Sequence, residues 1–360
     1  MRGRLDAVDV ARGLALVAMA AYHFTWDLAY FGVIDASTPF QPPMHWASHL
    51  IGGAFLGLAG LSLALAHGRG FRPRNFLKRL ALIGAAAAAV SAATYWQDPK
   101  TYIFFGILHC LFAASLVALP FMAEQKITAD AESASNAGKL LIAALLPRRD
   151  LVGSVASGLF VVGVLRSAYL SLAHLLTRPS AALAFGLVLI VTPFIYASPI
   201  FNPPWLVWLG LGTEDPATLD WRPLLPWAGL VLIGLGLTRL APPIPAWRAK
   251  AAPGRALAFA GRHSLAIYLI HQPLMVGLIY AVLQLSGFSE RLSVETYAKA
   301  CRPACVEAGG EIYACERACA CVIRDASAAG LAGRLGAHSI GKEERSRIGA
   351  IVESCGSEAR

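Results

Sequence analysis

Four ionisable residues stand in the first strongly apolar stretch of the sequence, DVARGLALVAMAAYHFTWDL at residues 9–28. At 100° per residue, Asp9, Arg12, His23 and Asp27 fall on one helix face, within an arc of about 60°. Such a stripe is too costly to face lipid, so we expect it to face other helices or water. Asp27 follows His23 by one helical turn, where a carboxylate can accept the ring N–H and orient the imidazole. The pattern predicts a functional histidine inside a membrane helix; ordinary interface anchoring is the alternative for Asp9 and Arg12.

Further histidines occupy other apolar segments. From the helical rise, His109 lies about 12 Å in from the outer end of its segment, and His271 about 13 Å in from Arg262 at the inner end. Neutral imidazole near pH 7 is suited to general base catalysis or to nucleophilic attack on a thioester. For each histidine, a buried core position with satisfied hydrogen bonds is the alternative. The predicted catalytic residues are His23, Asp27, His109 and His271.

A basic run, RPRNFLKRL at residues 72–80, follows the second apolar segment. Its cations can hold the phosphates of a nucleotide-like donor through charge-assisted hydrogen bonds, with Arg12 at the same mouth. The alternative is an ordinary excess of cations in cytoplasmic loops. The predicted donor-binding residues are Arg12, Arg72, Arg74, Lys78 and Arg79. The sequence has no glycine-rich phosphate loop and no HExxH or GxSxG motif, and it predicts no metal site.

A tryptophan-rich segment, residues 198–227, is expected on the opposite side of the membrane. Asp220, next to Trp221, is the residue there that we expect to contact a polar acceptor. Tryptophan rings can stack on sugars, although anchoring at a membrane interface is the alternative. The predicted acceptor-side residues are His49, Asp220, Trp221 and Trp227.

The composition predicts that these residues are carried by a bundle of membrane helices. The chain of 360 residues is 56% hydrophobic and 15% charged, whereas soluble domains are about 25% charged. Runs of nearly 20 apolar residues predict spanning helices. The predicted spans are residues 8–31, 45–66, 77–96, 102–123, 180–197, 224–241 and 263–285. The first is interpreted as an uncleaved helix because no small-residue cleavage site ends it.

The distribution of cations predicts the orientation. Cations are concentrated in residues 67–79, in 124–150 and in the loop 239–262, whereas the loops expected outside hold only Lys100 and Arg222. The positive-inside rule therefore places the N-terminus in the cytoplasm. The apolar stretch 151–176 is predicted to be interfacial or half-inserted, because a further span there would place the 239–262 cations outside. The net charge of +9 is spread over loops, without an aromatic-basic stripe, so no nucleic-acid partner is expected.

Six of the seven cysteines lie in the last 60 residues, which this topology places in the periplasm. Two Cys-x3-Cys pairs flank Gly309-Gly310, so each pair lies on one helix face and the glycines end the first helix. In an antiparallel hairpin, facing residues have a constant sum of residue numbers, which pairs Cys305 with Cys315 and Cys301 with Cys319. Cys321 and Cys355 can form a third disulfide that docks a helix at about 340–355. A metal or cluster site built from the same thiols is the alternative.

Several stretches together resemble a known family. They are RLDAVDVARGLALVAMAAYHFTWDL, FLGLAGLSLALA, FGILHCL, DWRPLLPWAGLVLIG and GRHSLAIYLIHQP, within residues 4–285, and they are similar to bacterial relatives of heparan-alpha-glucosaminide N-acetyltransferase. The spacing from Arg12 to His23 resembles the Arg-x10-His signature of the wider transmembrane acyltransferase superfamily. The resemblance implies an acyl-CoA donor held from the cytoplasmic side and an acceptor, often a sugar, on the far side. It implies that His23 is the catalytic base or acyl carrier, with Arg12 and residues 72–79 at the CoA end and His109 and His271 along the channel.

Together these observations predict an all-α polytopic membrane bundle of about seven spans, one interfacial helix and a cysteine-rich α-hairpin tail. Residues 1–286 would form the acyltransferase-like domain, with a cytoplasmic or interfacial insert at 124–178, and residues 287–360 the periplasmic tail. The predicted activity moves an acetyl or short acyl group from acetyl-CoA or a similar acyl-CoA to a periplasmic glycan or small molecule, in a bacterial inner membrane. The rival interpretations are a proton-coupled carrier, which the lack of inverted repeats disfavours, and a scaffold that presents the tail. A homo-oligomer or a protein partner bound to the tail stays open.

Overall fold

The structure is a computed structural model that describes residues 6–68, 70–122, 175–242, 247–286, 288–335 and 341–358. Within these ranges every regular element is helical, which confirms the predicted all-α class. The predicted interfacial stretch 151–176 lies almost wholly outside the described residues, as does the polar stretch 124–138.

Twelve α-helices lie in the described ranges. They are α1 Asp6–Tyr30, α2 Pro42–His67, α3 Pro73–Gln97, α4 Ile107–Val117, α5 Leu119–Met122, α6 Pro179–Ile195, α7 Leu224–Leu240, α8 Ala252–Arg262, α9 Ser264–Leu285, α10 Phe288–Glu307, α11 Ile312–Ala328 and α12 Lys342–Glu358. Helices α1, α2, α3 and α9 are long and apolar enough to cross a membrane. Helices α4, α6 and α7, at the other three predicted spans, are shorter apolar helices.

Two segments differ from the sequence-based expectation. The sequence predicts a loop over residues 239–262, but α8 begins at Ala252, one residue before a proline that fits the first turn of a helix. The span predicted over 102–123 is helical only from Ile107, because residues 102–106 are not helical and Gly106 has an extended backbone conformation.

The chain forms two compact units. Unit 1 comprises Met1–Met19 and Trp46–Leu269, and unit 2 comprises Ala20–His45 and Ile270–Arg360. The dividing points lie inside α1, α2 and α9, so each of these helices contributes to both units. The predicted domain boundary between residues 286 and 287 stays a prediction.

In unit 1, α7 packs closely against α2 and α6 through glycines. A Cβ atom at Gly60 of α2 would overlap the backbone of Val231 on α7, and one at Gly229 of α7 would overlap the backbone of Gly186 on α6. Small residues let membrane helices approach closely and gain van der Waals contact, because lipid offers no hydrophobic drive between helices. Leu56 and Leu232 are fully buried in the cluster that results.

The short helix α8 packs against the first half of α1, also within unit 1. A Cβ at Gly13 would overlap the backbone of Leu257, and one at Gly261 would overlap the backbone of Asp9. Asp6 contributes polar contacts, since its carboxylate accepts the backbone N–H of Ala249 at 3.1 Å. This packing fixes the part of α1 that carries Arg12.

In unit 2, the tail is the predicted α-hairpin. Helices α10 and α11 flank Gly309 and Gly310, and Gly309 has a φ of +92°, a left-handed conformation that favours glycine. A Cβ at Gly310 would overlap the sulfur of Cys315, so the second position also requires glycine. The three disulfides are the predicted pairs Cys301–Cys319, Cys305–Cys315 and Cys321–Cys355.

Candidate functional site

The centre of the candidate site in unit 2 is a pair of histidines. His23 on α1 and His271 on α9 have ring centroids 5.1 Å apart. The ring of Tyr22 meets that of His23 edge-on at 5.5 Å. Both histidines are half-buried. The sequence predicted His23 and His271 at similar depth, and the structure brings their rings together.

Asp27 is the buried acid of the same cluster, with 5% of its surface exposed. Its Oδ1 accepts a hydrogen bond from Nε2 of Gln272 at 2.6 Å. Sequence reasoning missed Gln272. The available signal was a carboxamide directly after His271, in a segment that is otherwise almost entirely apolar.

Buried polar atoms without hydrogen-bond partners collect in this cluster. Within the described part of the chain, Asp27 Oδ2, Gln272 Oε1 and Trp26 Nε1 are buried and have no such partner. Buried polar groups in native proteins are nearly always paired, so each exception needs an explanation. A polar ligand or water is the explanation that suits a site of catalytic residue types.

Unit 1 holds the predicted donor-binding arginine. Arg12 donates to Asp9 Oδ1 at 3.0 Å and forms a further hydrogen bond to the hydroxyl of Ser62 on α2. Asp9 is 2% exposed, whereas about a quarter of the Arg12 side chain is exposed. The two contacts hold the guanidinium in place.

Further cations surround the end of α2 within unit 1. His67, buried at the last position of α2, accepts the backbone N–H of Arg72 on Nδ1 at 3.1 Å. Arg72, Arg79 and Arg239 lie close enough to His67 to interact with it electrostatically, and Arg79 interacts likewise with Arg12. This positive group can receive an anion.

Members of the predicted basic run differ in exposure. Arg79 is half-buried, whereas Arg72, Arg74 and Lys78 are exposed at the start of α3. His67 and Arg239 were not predicted as site residues; the available signal was the position of each, at the end of an apolar segment beside other cations.

His109 has a different setting from His23 and His271, and it belongs to unit 1. The backbone N–H of Gly106 donates to its Nδ1 at 3.2 Å, so Nδ1 carries no proton. Its Nε2 lies 3.1 Å from Oγ of Ser91, and that hydroxyl donates its own hydrogen to the carbonyl of Ile103. The neutral Nε2–H tautomer satisfies both bonds. In this arrangement neither ring nitrogen is left to take a proton from a substrate.

Asp220 joins two segments of unit 1 that are distant in the sequence. Its Oδ2 accepts the backbone N–H of Ile107, at the first turn of α4, at 2.8 Å. A carboxylate at a helix N-terminus satisfies an otherwise orphaned donor and complements the helix dipole.

Asp98, just after α3, is a second carboxylate with intramolecular donors. The side chain of Thr101 and the backbone of Lys100 donate to Asp98, and these hydrogen bonds hold the pKa of its carboxyl below the ordinary value.

The aromatic residues predicted on the acceptor side are also in unit 1. Trp227 is 6% exposed and belongs to the core, with the guanidinium of Arg222 5.0 Å from its ring centroid. The ring of His49 lies 5.3 Å from that of Trp227, and His49 is otherwise exposed. Trp221 is half-buried and donates to Asp215 at 2.9 Å. The structure thus groups His49 with Trp227 and gives Asp220 and Trp221 intramolecular partners.

The cysteines of the tail form disulfides. All six are paired, so none offers a thiolate to a metal or cluster. Asp325 lies 3.7 Å from both sulfurs of Cys321–Cys355. Among the described residues the free cysteine is Cys110, which is buried in the core.

The fold and these sites define a helical membrane protein with histidines and buried carboxylates in its apolar helices. The family described as heparan-alpha-glucosaminide N-acetyltransferase, catalytic, matches residues 4–148 and 136–273. The chain belongs to this family, as its resemblance implied. Membership makes it a membrane enzyme of the acetyltransferase type in general terms. No curated protein and no solved structure matches the chain.

Proposed function

We propose that this protein transfers an acetyl group from acetyl-CoA on the cytoplasmic side of a bacterial inner membrane to a sugar or other small acceptor on the periplasmic side. The observation that carries the proposal is the His23–His271 pair beside buried Asp27, in a chain that belongs to an acetyltransferase family. In this proposal His23 acts as the general base or as the acyl carrier. Mid-membrane burial would keep water away from the thioester.

The donor is proposed to bind at the positive group of unit 1. Arg12 is held by Asp9 and Ser62, and Arg79 extends the positive charge toward the exposed cations at the start of α3. Guanidinium groups match phosphate geometry with paired hydrogen bonds, and the phosphates of CoA supply the matching anions. Arg72, Arg74 and Lys78 would then contact the outer phosphates.

The acceptor is proposed to approach from the periplasmic side, opposite to the side proposed for the donor. His49, Asp220, Trp221 and Trp227 are the proposed lining of that approach, of which His49 is the exposed member. Because acyl-CoA is too polar to cross lipid, only the acetyl group would change sides.

The test is acetyl-CoA binding and CoA release by the purified full chain in detergent. We expect the wild type to bind acetyl-CoA and to release CoA slowly. His23→Ala should bind with unchanged affinity but release CoA roughly 100-fold more slowly or worse, as for loss of a general base. Arg12→Ala should bind roughly ten- to hundred-fold more weakly, as for loss of a charge-assisted hydrogen bond.

Matched controls are His263→Ala and Arg302→Ala, which remove an exposed histidine and an exposed arginine outside the proposed sites. Both should behave as the wild type. If the wild type binds neither acetyl-CoA nor longer acyl-CoAs, the proposed function is wrong.

A further inference from the structure

The two unsatisfied oxygens of the histidine cluster belong to adjacent groups. Asp27 Oδ2 and Gln272 Oε1 are buried without a donor in the described part of the chain. The other polar atoms of the two side chains, Asp27 Oδ1 and Gln272 Nε2, are joined by the 2.6 Å hydrogen bond. Leaving a buried acceptor unpaired costs free energy, and the cost is larger for a charged group. Two such acceptors side by side therefore indicate a donor that the described residues do not supply, as a bound ligand would.

The chemistry of the pair restricts what that donor is. A carboxylate accepts hydrogen bonds only, and the amide of Gln272 has already turned its N–H toward Asp27, which leaves its oxygen as an acceptor. Gln272 is neutral, so it does not balance the charge of the carboxylate. The site therefore suits a group that donates hydrogen bonds: a hydroxyl, an amine or an ammonium.

The position of the pair relates it to the histidines. Asp27 lies one turn after His23 on α1, and Gln272 directly follows His271 on α9. An atom that accepts an acetyl group from an acetyltransferase carries an O–H or N–H before transfer. That hydrogen must be held near a base while the new bond forms.

We propose that Asp27 and Gln272 form the subsite that binds the O–H or N–H group of the acetyl acceptor, with Gln272 also positioning the Asp27 carboxylate. This inference rests on the proposed function and adds the residues that hold the acceptor and the chemical class of its reacting group. Glutamine is required rather than glutamate, because an ionised carboxylate at this position would face Asp27 with like charge.

The first test separates acceptor binding from donor binding with Gln272→Met, which keeps the length of the side chain and removes its amide. Glucosamine offers an ammonium and hydroxyls, and N-acetylglucosamine offers hydroxyls with the amine blocked. We expect one or both to accelerate CoA release by the wild type. In Gln272→Met the acceptor KM should rise roughly ten-fold or more, with acetyl-CoA affinity within about two-fold of wild type.

The matched control is Gln284→Met, the same substitution at an exposed position of α9. It should leave the acceptor KM and the acetyl-CoA affinity unchanged. A second variant, Gln272→Glu, gives a readout that a purely structural role would not move. Acceptor-dependent release should be lost at neutral pH and recover as the pH falls, because a protonated carboxyl can again donate to Asp27. This variant also keeps the test open if Gln272→Met fails to fold.

The outcomes are distinguishable from failure of the proposed function. A wild type without acetyl-CoA binding contradicts the proposed function itself. If the wild type binds acetyl-CoA and releases CoA but neither sugar accelerates release, the subsite is wrong. An unchanged acceptor KM in Gln272→Met also overturns the subsite. So does a loss of acceptor-dependent CoA release in Gln272→Glu that is the same at every pH. Either result leaves the acetyltransferase proposal standing.

Discussion

The imidazole rings of His23 and His271 lie 5.1 Å apart and join the second parts of α1 and α9 within unit 2. If the two rings serve one chemical step, their contributions to the rate are not independent. When two groups act as a unit, removing either one already abolishes most of the activity. We therefore predict that the double variant His23→Ala/His271→Ala releases CoA no more slowly than the slower single variant.

The measurement is single-turnover CoA release from bound acetyl-CoA by the wild type, both single variants and the double variant. Acetyl-CoA affinity is measured in parallel, to show that the donor is still bound. Losses that multiply in the double variant would show that the two rings act at separate steps.

The approach of α2 to α7 gives a second prediction, about stability. Gly60 meets the backbone of Val231, whereas a Cβ at Gly57, three residues earlier on α2, meets nothing within 4 Å. Gly60→Ala should lower stability by about 1–3 kcal/mol, as for an overpacked core, whereas Gly57→Ala should be neutral or gain up to about 1 kcal/mol of helix propensity. Thermal unfolding in one detergent, followed by tryptophan fluorescence, compares the two. Equal melting temperatures would show that α2 and α7 do not pack as described.

His109 gives a prediction that separates a structural histidine from a catalytic one. Its ring is bonded to Gly106 and Ser91, so His109→Ala should leave buried groups unpaired and cost about 1–3 kcal/mol of stability. Acetyl-CoA affinity should be unchanged, and the exposed His263→Ala is the control. The measurements are the melting temperature and CoA release in the same preparation. Loss of release without loss of stability is the result that a catalytic His109 requires.

The sequence predicted features that depend on local pattern. Apolar runs located the helices, and the spacing of Cys301, Cys305, Cys315 and Cys319 around two glycines determined the pairing of the tail, because hairpin geometry permits few alternatives. Helical periodicity placed His23 and Asp27 on one face, and both belong to the same unit.

Features that depend on contacts between distant segments were not predicted. The partner of Asp27 identified in the structure is Gln272, 245 residues away, and no pattern within α1 points to it. Asp220 was expected to contact an acceptor, but one of its oxygens accepts the backbone N–H of Ile107 at the start of α4. Ile107 lies 113 residues earlier in the chain, so no local pattern around Asp220 indicates this contact. The exposure of Trp205 at 72%, against 6% for Trp227, likewise depends on which segments pack over each ring.

The three tail disulfides should contribute unequally to the stability of the tail. Cys321–Cys355 spans 34 residues and joins α11 to α12, whereas Cys305–Cys315 spans 10 residues inside the loop that Cys301–Cys319 already closes. In the chain-entropy model, closing the longer loop contributes roughly 4 kcal/mol and the shorter one roughly 3 kcal/mol, less when an outer bond already restrains it. We predict that Cys321→Ser/Cys355→Ser exposes the tail to protease more than Cys305→Ser/Cys315→Ser does.

The measurement is the rate of limited trypsin cleavage of the full chain in detergent, with cut sites located by mass spectrometry. In Cys321→Ser/Cys355→Ser, cleavage should begin at Arg345 and Arg347, since α12 then loses its covalent bond to α11. What remains includes packing through residues such as Ile348 and Ile351 and the Arg334–Glu344 ion pair. Acetyl-CoA affinity should be unchanged in both variants, because Arg12 and His67 belong to unit 1. Faster cleavage in Cys305→Ser/Cys315→Ser would show that the inner bond, rather than the bond to α12, limits opening of the tail.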